Sequence, residues 1–457
     1  MTAYDVVVVG AGAVGAATAR ALAGLDLRVA LVEARSDVGA GTSKANTAIL
    51  HTGFDATPGS LEATLVRRGY ELLGAYAAQT GIPVERTGAL LVAWTQEQVD
   101  TLPALDAKAK ANGYARCELL DAEAVYAAVP DLGPGALAGL AVPGESILCP
   151  WSVVLALATD AVTRGVDLLL GTQVREVTPG EPTTLHTSRG PLQARWVVNA
   201  AGLGSDLVDQ AFGHQRFTVT PRRGELLVYD KAARPMVPVI VLPVPSTVGK
   251  GVLVSPTIYG NVVLGPTAED RTDRADTATS EAGLAFLLDK GRALMPALLD
   301  HEVTAAYAGL RAATESSDYQ VHLDAGQRYL CLGGIRSTGI TASMAIAEHA
   351  LELLAGAGLA APARADLPPP PQVPNLGEAF LRPYAQPELI AADPAYGQVV
   401  CFCERVTAGE VRDALASTIP PADLDGLRRR TRVTMGRCQG FYCTGTVTAL
   451  LEQAGPR

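Results

Sequence analysis

Asp5–Val9 is an almost uninterrupted apolar run, the pattern of a strand covered on both faces. Ala13–Ala23 is a small-residue stretch suited to a helix packed close against it, and Arg28–Glu33 repeats the strand pattern. The chain therefore opens with a βαβ unit. Glu62–Thr80 carries Leu65, Tyr70, Leu72, Leu73 and Tyr76 at helical spacing. Residues 84–150 alternate short strands such as Ala89–Trp94 with helical stretches. Val166–Leu170 and Trp196–Asn199 return to the first layer as strands that run into glycine-bearing turns. Between residues 216 and 266, the runs Glu225–Tyr229, Val239–Leu242, Gly251–Ser255 and Asn261–Leu264 are punctuated by Pro and Gly, which predicts an antiparallel sheet. Ser280–Leu288 reads as a helix, Tyr329–Leu332 as a strand entering Gly333-Gly334, and Ser343–Leu354 as a closing helix.

These elements predict an α/β fold with a Rossmann-like layer at about 1–83, 151–215 and 325–360. An antiparallel-sheet substrate part at about 84–150 and 216–324 completes a domain spanning 1–360. Residues 361–395 form a proline-rich linker, with Pro368–Pro371 followed by Pro374, Pro383, Pro387 and Pro394. Such density suits an extended, semi-rigid spacer; a segment draped over the first domain is the other reading. A small helical domain at 396–457 ends the chain.

A net charge of −10 argues against a nucleic-acid partner, which would need a basic face. It leaves room for a small anionic substrate, because a few arginines can gather inside an acidic protein. No basic leader with a cleavage site opens the chain, and no run approaches the ~18 apolar residues of a membrane helix. An integral membrane segment is therefore not expected. Cysteines at metal-like spacing fit the reducing cytoplasm better than disulfides do. A cytoplasmic location is expected, with peripheral docking at the inner face of the membrane left open.

Gly10-Ala-Gly12-Ala-Val-Gly15 follows a strand and opens a helix. The first glycine permits the tight turn, the second a close approach of backbone to a pyrophosphate, and the third close helix–strand packing. Glu33 ends the second strand 18 residues after Gly15, where a carboxylate can hold a ribose hydroxyl, with Ala34 beside it. One such turn near the N-terminus, with no second complete fingerprint, suits FAD better than a nicotinamide. Gly41–Thr47 is a polar, small-residue stretch able to wrap a diphosphate and a flavin, and Asn199-Ala-Ala-Gly202 is a further close backbone approach.

With those residues in place, the first ~360 residues resemble the D-amino-acid-oxidase-type flavoprotein family. Gly41–Gly53 and Pro58-Gly-Ser-Leu61 resemble its FAD-dependent glycerol-3-phosphate dehydrogenases and L-2-hydroxyglutarate oxidases or dehydrogenases. The resemblance implies that Gly10, Gly12, Gly15 and Glu33 hold the adenosine half of FAD. It further implies that Thr42, Ser43, Asn46 and Thr47 line the flavin and that Val174 meets the adenine through its backbone. Gly334-Ile-Arg336-Ser-Thr-Gly339-Ile340-Thr341 matches the family's C-terminal flavin segment, whose backbone N–H groups would stabilise negative charge on the reduced ring. No residue clearly matches the covalent attachment seen in the family, so non-covalent FAD is expected.

Oxidising an alcohol at a flavin requires a base for the hydroxyl proton and a fixed geometry for hydride transfer. His51 follows the flavin-lining stretch and is the candidate base; a packed histidine that orients the loop is the alternative. Arg311, in Tyr307-Ala-Gly-Leu-Arg311, matches the family arginine that grips a carboxylate or phosphate, and Arg336 could assist from the flavin side. A structural salt bridge competes with that role for each. Arg222, Arg223 and Lys250 are weaker candidates. His186, His214, His301, His322 and His349 have no metal spacing, and Cys117, Cys149 and Cys331 read as core thiols.

The tail holds Cys401-Phe-Cys403-Glu404 and Gly436-Arg-Cys438-Gln-Gly-Phe-Tyr-Cys443. Two short-spaced cysteine pairs can complete a four-sulfur site for zinc or an iron–sulfur cluster, although Cys-x-Cys is tighter than usual zinc spacing. Residues ~396–457 resemble the bacterioferritin-associated-ferredoxin-type [2Fe–2S] domain, which makes Cys401, Cys403, Cys438 and Cys443 its ligands. Eight Arg against six Asp/Glu surround them. Arg405, Arg428–Arg430, Arg432 and Arg437 would raise the cluster potential above the plant-ferredoxin value of about −400 mV; a solvated or partner-facing surface is the competing reading.

The combined expectation is an FAD- and [2Fe–2S]-containing dehydrogenase, with sn-glycerol 3-phosphate as first choice of substrate. Its electrons would pass to an acceptor subunit or a quinone-linked partner. L-2-Hydroxyglutarate or another 2-hydroxy acid, an amine or opine, and a non-catalytic electron-transfer subunit are the alternatives.

Overall fold

A computed structural model describes residues 3–245 and 251–453. Lys250 lies outside the described residues. The strand β1 (Ala3–Val9) is the centre of an eight-stranded sheet. It pairs in parallel with β2 (Val29–Val32) on one side and with the long strand Gly190–Asn199 on the other. Asp167–Leu169 extends the parallel layer beyond β2, and Tyr329–Gly333 extends it beyond Gly190–Asn199. Val6, Val7 and Val8 are fully buried, as strands covered on both faces must be.

Helix α1 (Ala13–Leu22) is built from Ala and Gly, and this smallness lets it lie close to both the sheet and the helices Pro150–Thr163 and Gly339–Gly356. Helix α2 (Leu61–Thr80) is capped by Ser60, whose Oγ accepts from Ala63 N, and it ends at Gly81 with φ +73°. Asp318 accepts from the first two backbone N–H groups of α2, tying the helix to the segment that enters the sheet's last strands.

The second sheet has nine strands and roofs the first. It is antiparallel except where Ile240–Pro243 runs parallel to Ala89–Ala93, the one departure from the expected antiparallel roof. Its spine is the ten-residue strand Thr220–Tyr229 paired along its length with Val303–Ala313. Gln320–Asp324 belongs to the first sheet, so the chain re-enters that layer slightly before the expected position near 325.

From Ala363 to Glu378 the proline-rich segment is draped over the first domain. Leu25 bridges Ala363, Val373 N donates to Thr80 O, Glu378 N donates to Ile258 O, and Leu376 is buried in the roof's core. Beyond it Pro387–Ala392 is a short helix, not an extended spacer, and Arg382 and Asp393 pair with Glu410 and Arg412 of the tail. The tail folds around its own core of Val406, Val411, Leu415, Leu427, Val433 and Val447. Its elements are a short hairpin and the helices Ala408–Leu415, Leu424–Thr431 and Thr444–Gln453. Among the described residues no helix is long and apolar enough to cross a membrane.

Candidate active site and metal centre

The glycine turn has the shape that a pyrophosphate cradle needs. Gly10 adopts φ +103°, and a Cβ there would stand 2.5 Å from the Ala200 carbonyl oxygen. A Cβ on Gly15 would overlap the Gly10 carbonyl. Helix α1 begins at Gly12 with no side-chain cap on that residue and no acid in its first turn, leaving its positive end to an anion. Glu33 bridges the turn: its Oε2 accepts from Ala11 N at 2.8 Å and its Oε1 from Arg35 N at 2.9 Å. Ser43 Oγ accepts from Ala13 N at 3.0 Å. These features fit a bound dinucleotide.

Thr42, Ser43, Asn46 and Thr47 lie on an irregular loop beneath the roof. Thr42 Oγ1 donates to Leu310 O at 2.9 Å, and Tyr307 donates to Asn46 O at 3.0 Å. Burial raises the Tyr307 pKa, so its hydroxyl stays protonated and keeps that bond. Both partners sit on Val303–Ala313, the strand that also carries Arg311. The loop is thus fixed against the strand that presents the candidate anion site.

Arg311 faces Arg222 across the strand pair. Arg222 is held by Asp270 through two bonds of 2.6 and 3.0 Å. Arg311 donates to the Thr267 carbonyl at 2.7 Å, and among the described residues no carboxylate is ion-paired with it. Burial first, then Arg222 and Arg336, lower its pKa to about 10, against the opposing pull of Asp270. It is still cationic at neutral pH. A part-buried guanidinium with neighbouring cations and free donors is arranged for an anionic ligand. Arg336 bonds Ser317 O and has Glu62 at 3.7 Å, a looser structural partner. Arg223, a weaker candidate for the anion site, is buried in a knot with Glu225, Glu269 and Asp276.

His51 follows the short strand Ile49–Leu50, and its backbone N–H donates to Thr341 Oγ1 at 3.1 Å. Its Nδ1 stands 3.1 Å from Glu145 Oε2. Glu145, 1% exposed, also accepts from Thr52 N at 2.7 Å and Thr52 Oγ1 at 2.8 Å. Because a carboxylate accepts, Nδ1 is the donor in this contact, which leaves Nε2 as the nitrogen available to meet a substrate hydroxyl. Glu145 escaped the sequence reading. It is a lone acid in the turn between Ala138–Val142 and Ser146–Leu148, with no spacing that ties it to His51. The other histidines have local partners away from His51: Thr178 for His186, Asp324 for His214, Met236 for His301, Gln320 for His322 and Glu352 for His349.

Gly334 takes φ +62°, packed against Gln320, and leads to Arg336, Gly339, Ile340 and Thr341 at the start of Gly339–Gly356. Thr338 donates to Glu62 at 2.7 Å and contacts Tyr319, which locks this segment to α2. Asn199 is buried, donating to Ser205 O and contacting Tyr329, and it shapes the turn to Gly202 (φ +56°). Val174 is part-buried at the sheet edge, and Ala34 is exposed beside Glu33.

In the tail the thiols meet as two pairs, Cys401 with Cys443 and Cys403 with Cys438. Burial pushes Cys401 up to about 11, while backbone N–H groups of Tyr442, Gly440 and Phe441 lower Cys438. Arg405, Arg432, Thr434, Gln439 and Gly440 all have positive φ, coiling the two cysteine loops. This coiling turns N–H groups toward sulfur, as thiolate ligands need. No three of the described His, Cys, Asp or Glu side chains gather round a single point. Two adjacent thiol pairs suit a two-iron cluster with four cysteine ligands. Cys401 and Cys443 are buried, and Cys403 and Cys438 lie on the outer side, where Phe402, Phe441 and Tyr442 are exposed.

The tail arginines are split between buried and solvent-exposed positions. Arg429, Arg430 and Arg432 are buried against the first domain. Arg432 Nε donates to Glu404 at 2.7 Å, and its guanidinium lies 4.1 Å over the Tyr259 ring. Tyr259 stacks on Trp151, whose indole donates to Lys44 O in the loop beneath the roof. Arg405 and Arg437 pair with Glu378 and Glu302.

Residues 5–353 match the family described as FAD dependent oxidoreductase. The chain belongs to this family. Residues 399–453 match the BFD-like [2Fe-2S] binding domain, so the protein is a flavin oxidoreductase with an iron–sulfur tail. It is 32% identical over 454 residues to a glycerol 3-phosphate dehydrogenase of Caloramator mitchellensis, covering 98% of this chain and 94% of that one. A 32% identical L-2-hydroxyglutarate dehydrogenase of Caenorhabditis elegans covers 58% of this chain and 63% of its own length. Among solved structures, the dithionite-reduced, FAD-bound L-alpha-glycerophosphate oxidase of Mycoplasma pneumoniae superposes with a TM-score of 0.77. It is 27% identical and covers 82% of this chain and all of that one.

Proposed function

We propose that this oxidoreductase converts sn-glycerol 3-phosphate to dihydroxyacetone phosphate. Arg311, assisted by Arg336, receives the phosphate, and His51, oriented by Glu145, takes the hydroxyl proton. When bound, non-covalent FAD supplies the hydride acceptor and the cluster on Cys401, Cys403, Cys438 and Cys443 supplies one-electron transfer. The acceptor is a protein subunit or quinone-linked partner that meets the exposed edge of the tail beside Cys403 and Cys438.

The observation that carries this reading is Arg311, a part-buried cation whose hydrogen bond goes to a carbonyl, between two further arginines. An uncharged substrate would leave that charge without compensation. The relative that spans nearly the whole chain, tail included, bears the glycerol 3-phosphate name, which favours phosphate over carboxylate.

Anaerobic mixing with sn-glycerol 3-phosphate, L-2-hydroxyglutarate, an opine and glycerol, followed at the flavin band, tests the proposal. Bleaching by the phosphate ester is expected. Bleaching by the hydroxy acid alone would replace the substrate, and bleaching by none would mark a non-catalytic subunit.

A further inference from the structure

The loop from Glu33 to Thr47 is gripped from two sides. On its inner side Glu33 and Ser43 accept from Ala11 N and Ala13 N, the residues that surround the start of α1. On its outer side stands the tail helix Leu424–Thr431. Asp37, 1% exposed, accepts from Arg429 Nη2 at 2.7 Å and from Arg430 Nη1 and Nη2 at 2.7 and 2.8 Å. Ser36 Oγ donates to Asp423 at 2.9 Å, and Lys44 Nζ reaches Asp425 at 3.1 Å. Residues almost 400 positions apart thus meet at three points between Ser36 and Lys44 of the loop.

This loop has little regular structure of its own. Its one element is the three-residue turn Thr42–Lys44, and Gly39 N donates to Ala11 O. Side-chain anchors therefore set its shape. The anchor on Asp37 is a buried triad of one acid and two guanidinium groups. The Asp37 charge is tolerable there only while the guanidinium groups are present, because an unpaired buried ion is costly, whereas Arg429 also pairs with Asp425. Undocking the tail would leave Asp37 without its counter-charges and release the outer side of the loop.

We infer that Asp37, Arg429 and Arg430 are positioning residues for FAD: the docked tail holds the loop in its flavin-binding shape, so cofactor affinity and tail docking form one linked equilibrium. The inference rests on the reading that Thr42, Ser43, Asn46 and Thr47 line the flavin. Linkage then requires that FAD tighten docking by the same factor by which docking tightens FAD. The iron–sulfur tail would serve the flavin site as a clamp as well as an electron outlet.

The test uses full-length, cluster-loaded protein freed of flavin. FAD titration by fluorescence should give an Asp37→Asn variant a Kd raised roughly tenfold or more, within the usual range of site-to-site coupling. In the unsubstituted protein, amide exchange of residues 424–431 should slow when FAD is added. A purely structural role would lower the melting temperature without making exchange in that helix depend on FAD. An unchanged Kd in Asp37→Asn, or exchange in 424–431 that ignores FAD, overturns the inference. If Asp37→Asn fails to fold, the exchange measurement alone decides. Ser43→Ala separates the two layers. Weaker FAD binding in Ser43→Ala with normal binding in Asp37→Asn defeats only the clamp, whereas normal binding in both removes the flavin-lining reading beneath it.

Discussion

Replacing Arg311 by methionine would remove the anion-binding charge and keep much of the side-chain bulk. In the free protein Arg311 uses one donor on Thr267 O, so most of its five N–H groups are available to a phosphate. Arg222 is already held by Asp270 and Arg336 by Ser317 O with Glu62 nearby, so neither can replace a lost bidentate contact. Losing hydrogen bonds to a charged group costs about 2–3 kcal/mol. That corresponds to a fall of roughly 30- to 150-fold in kcat/KM for sn-glycerol 3-phosphate. Arg311→Lys keeps the charge without the fork and should fall between the two. The assay is steady-state turnover with an artificial acceptor, with glycerol as the uncharged comparison. Oxidation of glycerol should change little, because it never engaged the guanidinium. If Arg311→Met retained kcat/KM for the phosphate ester, or lost both substrates equally, Arg311 would not be the phosphate anchor.

Other outcomes follow from the same geometry. Glu145→Gln keeps the shape beside His51 but can donate to Nδ1 instead of accepting from it; kcat should drop by about tenfold or more, as for loss of a positioned general base, with FAD binding unchanged by titration. Gly15→Ala places a methyl group against the Gly10 carbonyl and should yield protein lacking flavin absorbance. Cys403→Ser should remove the cluster spectrum while substrate still bleaches the flavin, and electron delivery to a protein acceptor should stop. Burial opposes ionisation of Asp425, but Arg429 and Lys44 outweigh it and hold its pKa below the ordinary value. Its contribution to docking is therefore full above the unfolded value of about 3.9 and lost as pH falls through the lower folded value. Amide exchange in 424–431 should rise over that acid range, and Asp425→Asn should flatten the rise.

The nucleotide layer was legible in the sequence because its signals are local. Val6–Val9, three glycines and Glu33 sit within one βαβ unit, and each residue's role follows from its position in that unit. The roof was legible from strand-like runs broken by Pro and Gly, apart from the parallel pairing of Ile240–Pro243 with Ala89–Ala93, which depends on which strand lies alongside. Long-range partners were not legible. Glu145 is 94 residues from His51 and lies in an unremarkable turn. The basic run Arg428–Arg430 reads as charge beside the cluster, or else as a solvated or partner-facing surface, yet Arg429 and Arg430 close over Asp37 nearly 400 residues away. Proline density suggested an extended spacer over residues 361–395, but it could not say that residues 363–378 lie against the first domain or that Pro387–Ala392 is helical.

The most direct test of the account is rapid anaerobic mixing of the cluster-loaded enzyme with sn-glycerol 3-phosphate, followed by freeze-quenching for flavin absorbance and the paramagnetic signal of the reduced cluster. Loss of flavin colour followed by growth of that signal is the expected result. A bleached flavin beside a cluster that stays oxidised, although dithionite can reduce it, would contradict the tail's role as the electron outlet.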